Sequence, residues 1–222
     1  QVPTDLAYSA VRDMSVLRLL VLLLLSSGSM RVVHAQDSIV HTEFVYQVAP
    51  FASAHASTIT ETKNGVVTAW FGGTAEGNAD VGIWLARHDE DGWSSPVEIA
   101  DGVQADGTRL PGWNPVLFQP SSGPLLLFYK VGPNPREWWA MVQISHDEGQ
   151  TWSQAGRLPE GILGPIRAKP IELHDGTLVA GSSTEHDGWV AHVERFRPHS
   201  DPNRMLDALT DPARWKRSAA LN

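Results

Sequence analysis

The chain contains no cysteine among its 222 residues, and this absence excludes both disulfide bonds and thiolate chemistry. Its stability must therefore come from a hydrophobic core, and with 42% hydrophobic residues the chain suffices for one of sizeable volume. Positive charge is also scarce, because 17 Lys and Arg stand against 25 Asp and Glu, for a net charge of −8. No basic stripe that could bind phosphates is present, so nucleic acid is a poor candidate partner.

Metal-ligand spacing is missing as well. His186 and His192 lie six positions apart, and the other histidines are scattered along the chain. None of these spacings is typical of a zinc site, so the sequence predicts neither a metal nor a cofactor.

A hydrophobic run long enough to cross a bilayer is absent, because the apolar stretch 19–25 is far shorter than a transmembrane helix. A short basic region from Met14 to Arg18 precedes it, and small residues ending at Ala35 follow it. This pattern predicts a signal peptide over residues 14–35, with residues 1–13 as an upstream extension that has no role in the fold. We expect a secreted or periplasmic mature protein; an uncleaved membrane anchor is the alternative.

Tryptophan, in contrast, is abundant with nine residues, and one of them closes the most informative motif of the chain. Residues 145–152 read Ser-His-Asp-Glu-Gly-Gln-Thr-Trp and fit the pattern Ser-x-Asp-x-Gly-x-Thr-Trp at every fixed position. Asp147 can accept hydrogen bonds from turn amides, Gly149 permits positive φ, and Trp152 packs where the chain re-enters a strand. The motif therefore predicts the turn of a β-hairpin and does not mark a catalytic centre.

This hairpin signal repeats along the chain. A degenerate copy of the motif occupies residues 88–94, and the tryptophans of the two motifs lie 59 residues apart. Short turn sequences recur at Asn64, Ser122 and Asp175, at intervals of 58 and 53 residues. Such a period, built from short strands, is typical of β-propeller blades. The sequence predicts an all-β propeller with four-stranded blades at about 52–103, 104–160 and 161–222.

The third predicted blade departs from this pattern. A long polar stretch over residues 197–212 replaces the hairpin motif, and residues 206–209 are expected to form a helical turn. Three blades cannot close a ring, since known propellers have at least about four. We therefore expect the chain to be part of a longer propeller.

The candidate site residues are predicted to share one end of the blades. In up-and-down blades, the connections between the second and third strands, and those between blades, lie opposite the hairpin motifs. The longer and less regular loops all fall at this end, where the starts of the innermost strands line the axis. The candidate catalytic residues there are Asp80, Glu76, His55 and Glu185. The candidate substrate-binding residues are Arg167, Lys169, Trp113, Asn114, Lys130 and His186.

The main candidates each have a chemical reason and a structural alternative. A carboxyl group in the Gly-rich loop, from Glu76 or Asp80, can serve as general acid or base in glycosidic cleavage. Arg167 and Lys169 are separated by one residue, so a strand would turn both to one side, where they can bind a carboxylate. His55 lies between two alanines, which leave room for a ligand. The alternatives are turn-capping carboxylates, surface charges, a histidine bonded in the core and, for the tryptophans, packing between blades.

Three further stretches, together with the octapeptide, carry a resemblance to a known family. They are 70–84 (Trp-Phe-Gly-Gly-Thr-Ala-Glu-Gly-Asn-Ala-Asp-Val-Gly-Ile-Trp), 113–118 (Trp-Asn-Pro-Val-Leu-Phe) and 183–189 (Ser-Thr-Glu-His-Asp-Gly-Trp). Over residues 52–222 the chain resembles the sialidase-like superfamily of β-propellers with BNR or Asp-box repeats, and in particular its exo-sialidase branch. Members of this superfamily typically have six blades, so the resemblance implies that the chain is truncated after about three.

The resemblance implies a secreted glycoside hydrolase that cleaves a terminal acidic sugar from extracellular glycans, without a cofactor. Sialidases bind the sugar carboxylate with three arginines, the first in an Arg-Ile-Pro motif; residues 54–57 of this chain, at the matching place, read Ala-His-Ala-Ser. The acid/base aspartate of the family matches Asp80 or Glu76. The Tyr nucleophile and the remaining arginines of the family would fall beyond Asn222.

Related propellers of the same superfamily include polysaccharide lyases and rhamnosidases that act at uronic acids. There a central histidine works with cationic residues that neutralise a carboxylate, and His55 with Arg167 and Lys169 would suit this chemistry. One alternative is therefore a lyase or rhamnosidase-type enzyme on uronate-containing polysaccharide. Another is a non-catalytic propeller that binds glycans.

Overall fold

The computed structural model describes residues 41–186 and 188–218 of the chain. The predicted signal peptide over 14–35 and the predicted extension 1–13 lie outside these residues. In the described part of the chain, nearly all regular structure is β-strand, and the strands form three antiparallel sheets.

The three sheets follow one another along the sequence. The first contains β1 (Ser53–Thr62), β2 (Gly65–Gly73), β3 (Gly82–Asp89), β4 (Gly92–Trp93) and β5 (Val97–Ala100). The second contains β6 (Gly112–Phe118), β7 (Leu125–Val131), β8 (Trp139–Ser145) and β9 (Gly156–Arg157). The third contains β10 (Ile171–Glu172), β11 (Leu178–Thr184), β12 (Val190–Phe196) and β13 (Trp215–Arg217). This meander order confirms the predicted all-β class and is the strand order of propeller blades.

The outer edge of the first sheet differs from the single fourth strand that the sequence predicted. β4 pairs with the end of β3, where Trp93 lies opposite His88, whereas β5 pairs with its beginning, where Ala100 lies opposite Ile83. A register shift between Ile83 and Trp84 interrupts the second pairing. The edge of the first sheet is therefore divided into two short strands.

The second sheet packs against both of its neighbours through β7. All 7 residues of this strand are buried, as expected for a strand that is covered on both faces. Leu125 and Leu127 belong to the core shared with the first sheet, whereas Leu126 and Phe128 belong to the core shared with the third. Because side chains alternate along a strand, one apolar run supplies two cores and fixes the order of the sheets.

The segment that replaces the hairpin motif in the third sheet contains the helix α1 (Met205–Thr210). A short 3₁₀ turn precedes the helix and another follows it, and the side chains of Asp201 and Asp211 cap these two turns. Leu209 is fully buried in the core between the second and third sheets, and its carbonyl accepts a hydrogen bond from Nε1 of Trp215 at 2.8 Å. The predicted helical turn is confirmed.

The octapeptide closes the hairpin after β8, as predicted. Oδ1 of Asp147 accepts a hydrogen bond from the Thr151 amide at 2.8 Å, and Oδ2 accepts one from the Thr151 hydroxyl at 2.6 Å. The Ser145 hydroxyl donates to Asp147 at 2.8 Å and accepts from the amide of Gly149 at 2.8 Å. Burial alone would raise the pKa of Asp147, but the hydrogen bonds from Thr151 and Ser145 outweigh it and lower the pKa to about 2.

Candidate functional site

Five connections gather at one end of the sheets, opposite the hairpin that Asp147 closes. This follows from the antiparallel strand order, which returns the chain to the same end after every second strand. The connections are residues 74–81, 101–111, 132–138, 158–170 and 185–189. Most of the predicted site residues lie in these connections, and His55, Trp113 and Asn114 lie near the starts of β1 and β6 at the same end.

His55 and Glu76 form the central pair of this end. Nδ1 of His55 lies 3.3 Å from Oε2 of Glu76, and the two side chains are 70% and 56% exposed. The imidazole contacts the ring of Phe71 edge-on, with 5.5 Å between the ring centres. With Ser53 and Val81, these residues line a cleft of about 330 Å³. A histidine and a carboxylate that touch each other in an open cleft can transfer protons to or from a bound ligand.

Asp80 lies behind this pair and shapes the loop that carries Glu76. Its Oδ2 accepts a hydrogen bond from the Thr74 amide at 2.9 Å, and its Oδ1 accepts one from the Thr74 hydroxyl at 2.9 Å. Nδ2 of Asn78 donates to the same hydroxyl at 2.9 Å, and Gly77 has a φ of +85° that suits glycine. The hydrogen bonds from Thr74 lower the pKa of Asp80. Because both carboxylate oxygens of Asp80 are engaged, Glu76 is better suited to exchange a proton with a ligand.

Two residues with positive φ interrupt the innermost strands of the first and second sheets at matching points. Ala56 has a φ of 54°, within the register shift between His55 and Thr58. Asn114 has a φ of 43°, within the register shift that follows Trp113. Non-glycine residues in this region are uncommon, and such bulges change the direction in which neighbouring side chains point. Backbone strain therefore lies directly beside His55 and beside Trp113.

Trp113 supports the cleft from beneath and is not an open stacking surface. It is buried, and its Nε1 donates a hydrogen bond to the carbonyl of Gly132 at 2.8 Å. Its ring contacts Phe71 and Trp138, with 6.1 Å between ring centres in both pairs. An ideal Cβ on Gly77 would lie 3.5 Å from the same indole. The Glu76 loop thus packs on Trp113, which fixes its height above the sheets.

The predicted cationic residues occupy three different environments. Lys130 is completely buried, and its Nζ donates to the carbonyl of Pro165 at 2.8 Å. Burial lowers the pKa of Lys130 to about 7, although the negative charge of Glu194 acts in the opposite direction. Lys169 donates to the carbonyl of Ile59 in β1, and burial lowers its pKa as well. Arg167 is exposed to solvent, so its guanidinium is accessible to a ligand.

The last two predicted site residues lie in the connection between β11 and β12. His186 is exposed and lines a second cleft, between the second and third sheets. Glu185 is half-buried beside it. The structure thus brings His55 and Glu76 together in one cleft and places His186 in another.

Glu194 and His192 were missed by sequence reasoning. Glu194 is fully buried and accepts hydrogen bonds from the amides of Leu163 at 3.1 Å and Gly164 at 2.5 Å. Nε2 of His192 lies 3.1 Å from the same carboxylate, and Nδ1 of His192 lies 3.0 Å from a guanidinium nitrogen of Arg217. These buried polar groups hold the connection between the second and third sheets. Their only sequence signal is a pair of polar residues two positions apart in a strand.

The described part of the chain holds neither a candidate metal cluster nor a candidate transmembrane helix. Within 41–186 and 188–218, no group of three or more His, Asp or Glu side chains has the arrangement that holds a metal ion. No helix among these residues has the length and hydropathy needed to cross a bilayer.

One solved structure has a similar fold. It is the crystal structure of a protein of unknown function from Dyadobacter fermentans, with a TM-score of 0.54 and 16% sequence identity. The match covers 75% of this chain and 54% of that chain, so this chain spans about half of that protein's length. At this identity the likeness concerns the fold alone.

Two sialidase structures are similar at lower TM-scores. The Hadza microbial sialidase Hz136 has a TM-score of 0.44 and 19% identity, and the match covers 70% of this chain and 30% of that chain. The Trypanosoma rangeli sialidase in complex with sialic acid has a TM-score of 0.48 and 14% identity, with 76% and 31% covered. No curated protein matches the chain significantly.

The family itself is given by a match of residues 64–205 to the BNR repeat-like domain. This match covers more than half of the chain, and it includes the octapeptide and the loop of Glu76. The chain therefore belongs to the family of BNR repeat-like domains.

Proposed function

We propose that this chain carries part of the active site of a secreted or periplasmic glycoside hydrolase that cleaves a terminal acidic sugar from extracellular glycans. The observation that carries the proposal is the contact between His55 and Glu76, 3.3 Å apart, in a cleft at the loop end of the sheets. Family membership and the sialidase-like resemblance of the sequence support it. Asp80 and Arg167 complete the proposed machinery.

Each residue has a defined role in this mechanism. Nδ1–H of His55 donates to the Glu76 carboxylate and orients it. Glu76 takes a proton from an attacking water or returns one to the oxygen of the leaving group. Asp80 stays ionised and holds the loop of Glu76 through Thr74. The exposed guanidinium of Arg167 binds the carboxylate of the sugar, for which its planar donor array is suited.

The second candidate function is a lyase on uronate-containing polysaccharide, and the same contact favours it. If Glu76 accepts a hydrogen bond from Nδ1–H of a neutral His55, the proton stays on Nδ1 and Nε2 is free to act as a base. This base can remove the proton next to the uronate carboxylate, while a cation stabilises the enolate that forms. The enolate then expels the glycosidic oxygen, which takes up a proton, and the sugar is left with a double bond. The absence of arginine from residues 54–57 leaves His55 as the functional group at that place.

The test compares the products formed from two acidic substrates, and their loss in variants of Glu76 and His55. The full-length protein is incubated with a fluorogenic sialoside and, separately, with polygalacturonate, and the variants are Glu76→Gln, His55→Asn and Glu90→Gln. Glu90 is an exposed carboxylate at the opposite end of the sheets and is the matched control. Release of sialic acid that is lost in Glu76→Gln supports the hydrolase, and ultraviolet absorbance from an unsaturated uronate that is lost in His55→Asn supports the lyase. Glycan binding without turnover, unchanged in both variants, would overturn both and leave a binding propeller.

A further inference from the structure

A second cleft, of about 390 Å³, lies between the second and third sheets. Its walls come from the strands β8, β9 and β13 and from the connection between the sheets. The functional groups that line it include Trp138, Trp139, Arg157, Glu160, His186 and Arg217. It shares no lining residue with the cleft of His55 and Glu76.

Arg217 enters this cleft in a fixed orientation. One guanidinium nitrogen donates to the carbonyl of Gly161 at 3.1 Å, and the other lies 3.0 Å from Nδ1 of His192. An arginine can only donate, so Nδ1 must be the acceptor and the proton of the neutral imidazole must reside on Nε2. Nε2–H then donates to Glu194, which is fully buried and 3.1 Å away. A buried carboxylate therefore orients an exposed cation through one histidine.

Arg157 brings a second cation to the same cleft from the second sheet. Its guanidinium carbon lies 4.8 Å from the centre of the Trp139 ring, in cation–π contact. Its ion pair with Glu160 is 3.7 Å long, and the two side chains are 55% and 95% exposed. Exposed pairs of this kind contribute little, so a ligand carboxylate can displace Glu160. Glu137, the other acidic group of the cleft, is engaged by Nδ2 of Asn134 at 3.0 Å.

We propose that this cleft is a second saccharide-binding site, which binds a carboxylate-bearing sugar residue of a glycan. Arg217 and Arg157, from two different sheets, bind the carboxylate. Arg217 does so with the N–H donors that Gly161 and His192 leave free. The half-buried indole of Trp138 supplies apolar surface against which a sugar ring packs, whereas the ring of Trp139 is covered by Arg157 and holds that cation in place. The site binds without catalysis, so it does not depend on the proposed hydrolase or lyase activity.

The experiment is a calorimetric titration of the full chain with trigalacturonate and, separately, with sialyllactose. The comparison ligand is neutral cellotriose, and the site variants are Arg217→Gln and Arg157→Gln. Arg204→Gln, an exposed arginine in the 3₁₀ turn before α1, is the control. We expect each site variant to weaken binding of the acidic ligand about tenfold or more, since a charge-assisted hydrogen bond is lost. The acidic ligand that binds identifies the source of the carboxylate, and the affinity for cellotriose should not change.

A double variant, His55→Asn with Glu76→Gln, separates this site from the proposed active site. Acidic-ligand binding that persists in the double variant and weakens in Arg217→Gln assigns it to the second cleft, whatever the outcome of the turnover assays. Binding that is lost in the double variant and unchanged in Arg217→Gln and Arg157→Gln would overturn the proposal, as would no binding of either acidic ligand. If Arg217→Gln fails to fold by circular dichroism, the exposed Arg157→Gln decides the question alone.

Discussion

Asn64 of the first sheet is bonded twice to Glu148 of the second. The Asn64 amide donates to Oε2 of Glu148 at 2.8 Å, and Nδ2 of Asn64 donates to Oε1 at 3.0 Å. Glu148 is the variable residue between the fixed Asp and Gly of the octapeptide, and its φ of 60° directs it towards the neighbouring turn. The next pair of sheets repeats the arrangement, because Glu172 accepts from the amide and hydroxyl of Ser121 at 2.7 and 2.6 Å.

These links lead to a prediction about stability. Glu148→Ala should lower the free energy of unfolding by about 1 kcal/mol, because two hydrogen bonds between sheets are lost at a solvent-exposed position. Glu172→Ala should have a similar effect, and Glu90→Ala, at an exposed position, should have none. Urea denaturation followed by tryptophan fluorescence measures all three. Equal midpoints for Glu148→Ala and the native chain would show that the links contribute nothing.

The intact hairpin motif should contribute more to the stability of the fold than the degenerate motif. Asp147→Asn should lower the free energy of unfolding by about 1–3 kcal/mol, because Asp147 accepts hydrogen bonds from both the amide and the hydroxyl of Thr151. Asp89→Asn should cost less, because Asp89 accepts only the amide of Asp91, at 2.9 Å. The pKa of Asp147 is lowered in the folded state, so its contribution is present above pH 3.8 and is lost as pH falls towards 2. Acid unfolding of the native chain and of both variants checks this pH window. If Asp147→Asn unfolds at the same acid midpoint as the native chain, the predicted contribution of Asp147 is contradicted.

Because burial lowers the pKa of Lys130, we expect the stability of the fold to rise at alkaline pH. Its pKa is about 7 in the folded state against 10.5 ordinarily, so between these values the unfolded chain binds a proton that the folded chain lacks. Stability should therefore rise with pH in this window by on the order of 1.4 kcal/mol per unit, relative to Lys130→Met. Urea denaturation at pH 6, 8 and 10 measures the difference, with the exposed Lys63→Met as control. If the stability difference between the native chain and Lys130→Met stays constant with pH, burial does not disfavour the protonated form of Lys130.

The positive φ angles predict which substitutions the innermost strands tolerate. Asn114→Val should lower the free energy of unfolding by about 1–2 kcal/mol, because a β-branched residue is disfavoured at a φ of 43°. Asn114→Gly should be close to neutral, and Ala56→Gly should be neutral or stabilising, since glycine adopts positive φ without strain. Thermal unfolding compares the three variants. A Val variant as stable as the Gly variant would contradict the assigned backbone conformation.

The sheets could be predicted from the sequence because the strands carry strong local signals. β7 is apolar except for Lys130, as expected of a strand that is buried on both faces, and the octapeptide specifies its hairpin through its own side chains. The two positive φ angles could not be predicted, because neither Ala56 nor Asn114 is a glycine and the bulges form only when neighbouring strands pair.

The buried polar groups of the third sheet could not be predicted for a similar reason. Hydrophobicity alone would place Val193 inside β12, yet it is 41% exposed, and its neighbours His192 and Glu194 are buried. Glu194 is buried because its carboxylate bonds amides 30 and 31 residues away, in the connection between sheets. A single sequence gives no sign of such a distant partner. The same limit applies to His55 and Glu76, which were both predicted as site residues but whose contact only the fold shows.

In the proposed mechanism, Glu76 is oriented by His55 and exchanges a proton with a bound sugar. This proton exchange is tested by kcat and KM of the full-length protein on an acidic glycoside, for the native sequence, for Glu76→Gln and for the control Glu90→Gln. We expect Glu76→Gln to lower kcat about 100-fold or more with a smaller change in KM, and Glu90→Gln to change neither. A Glu76→Gln variant that turns over as fast as the native chain would contradict it.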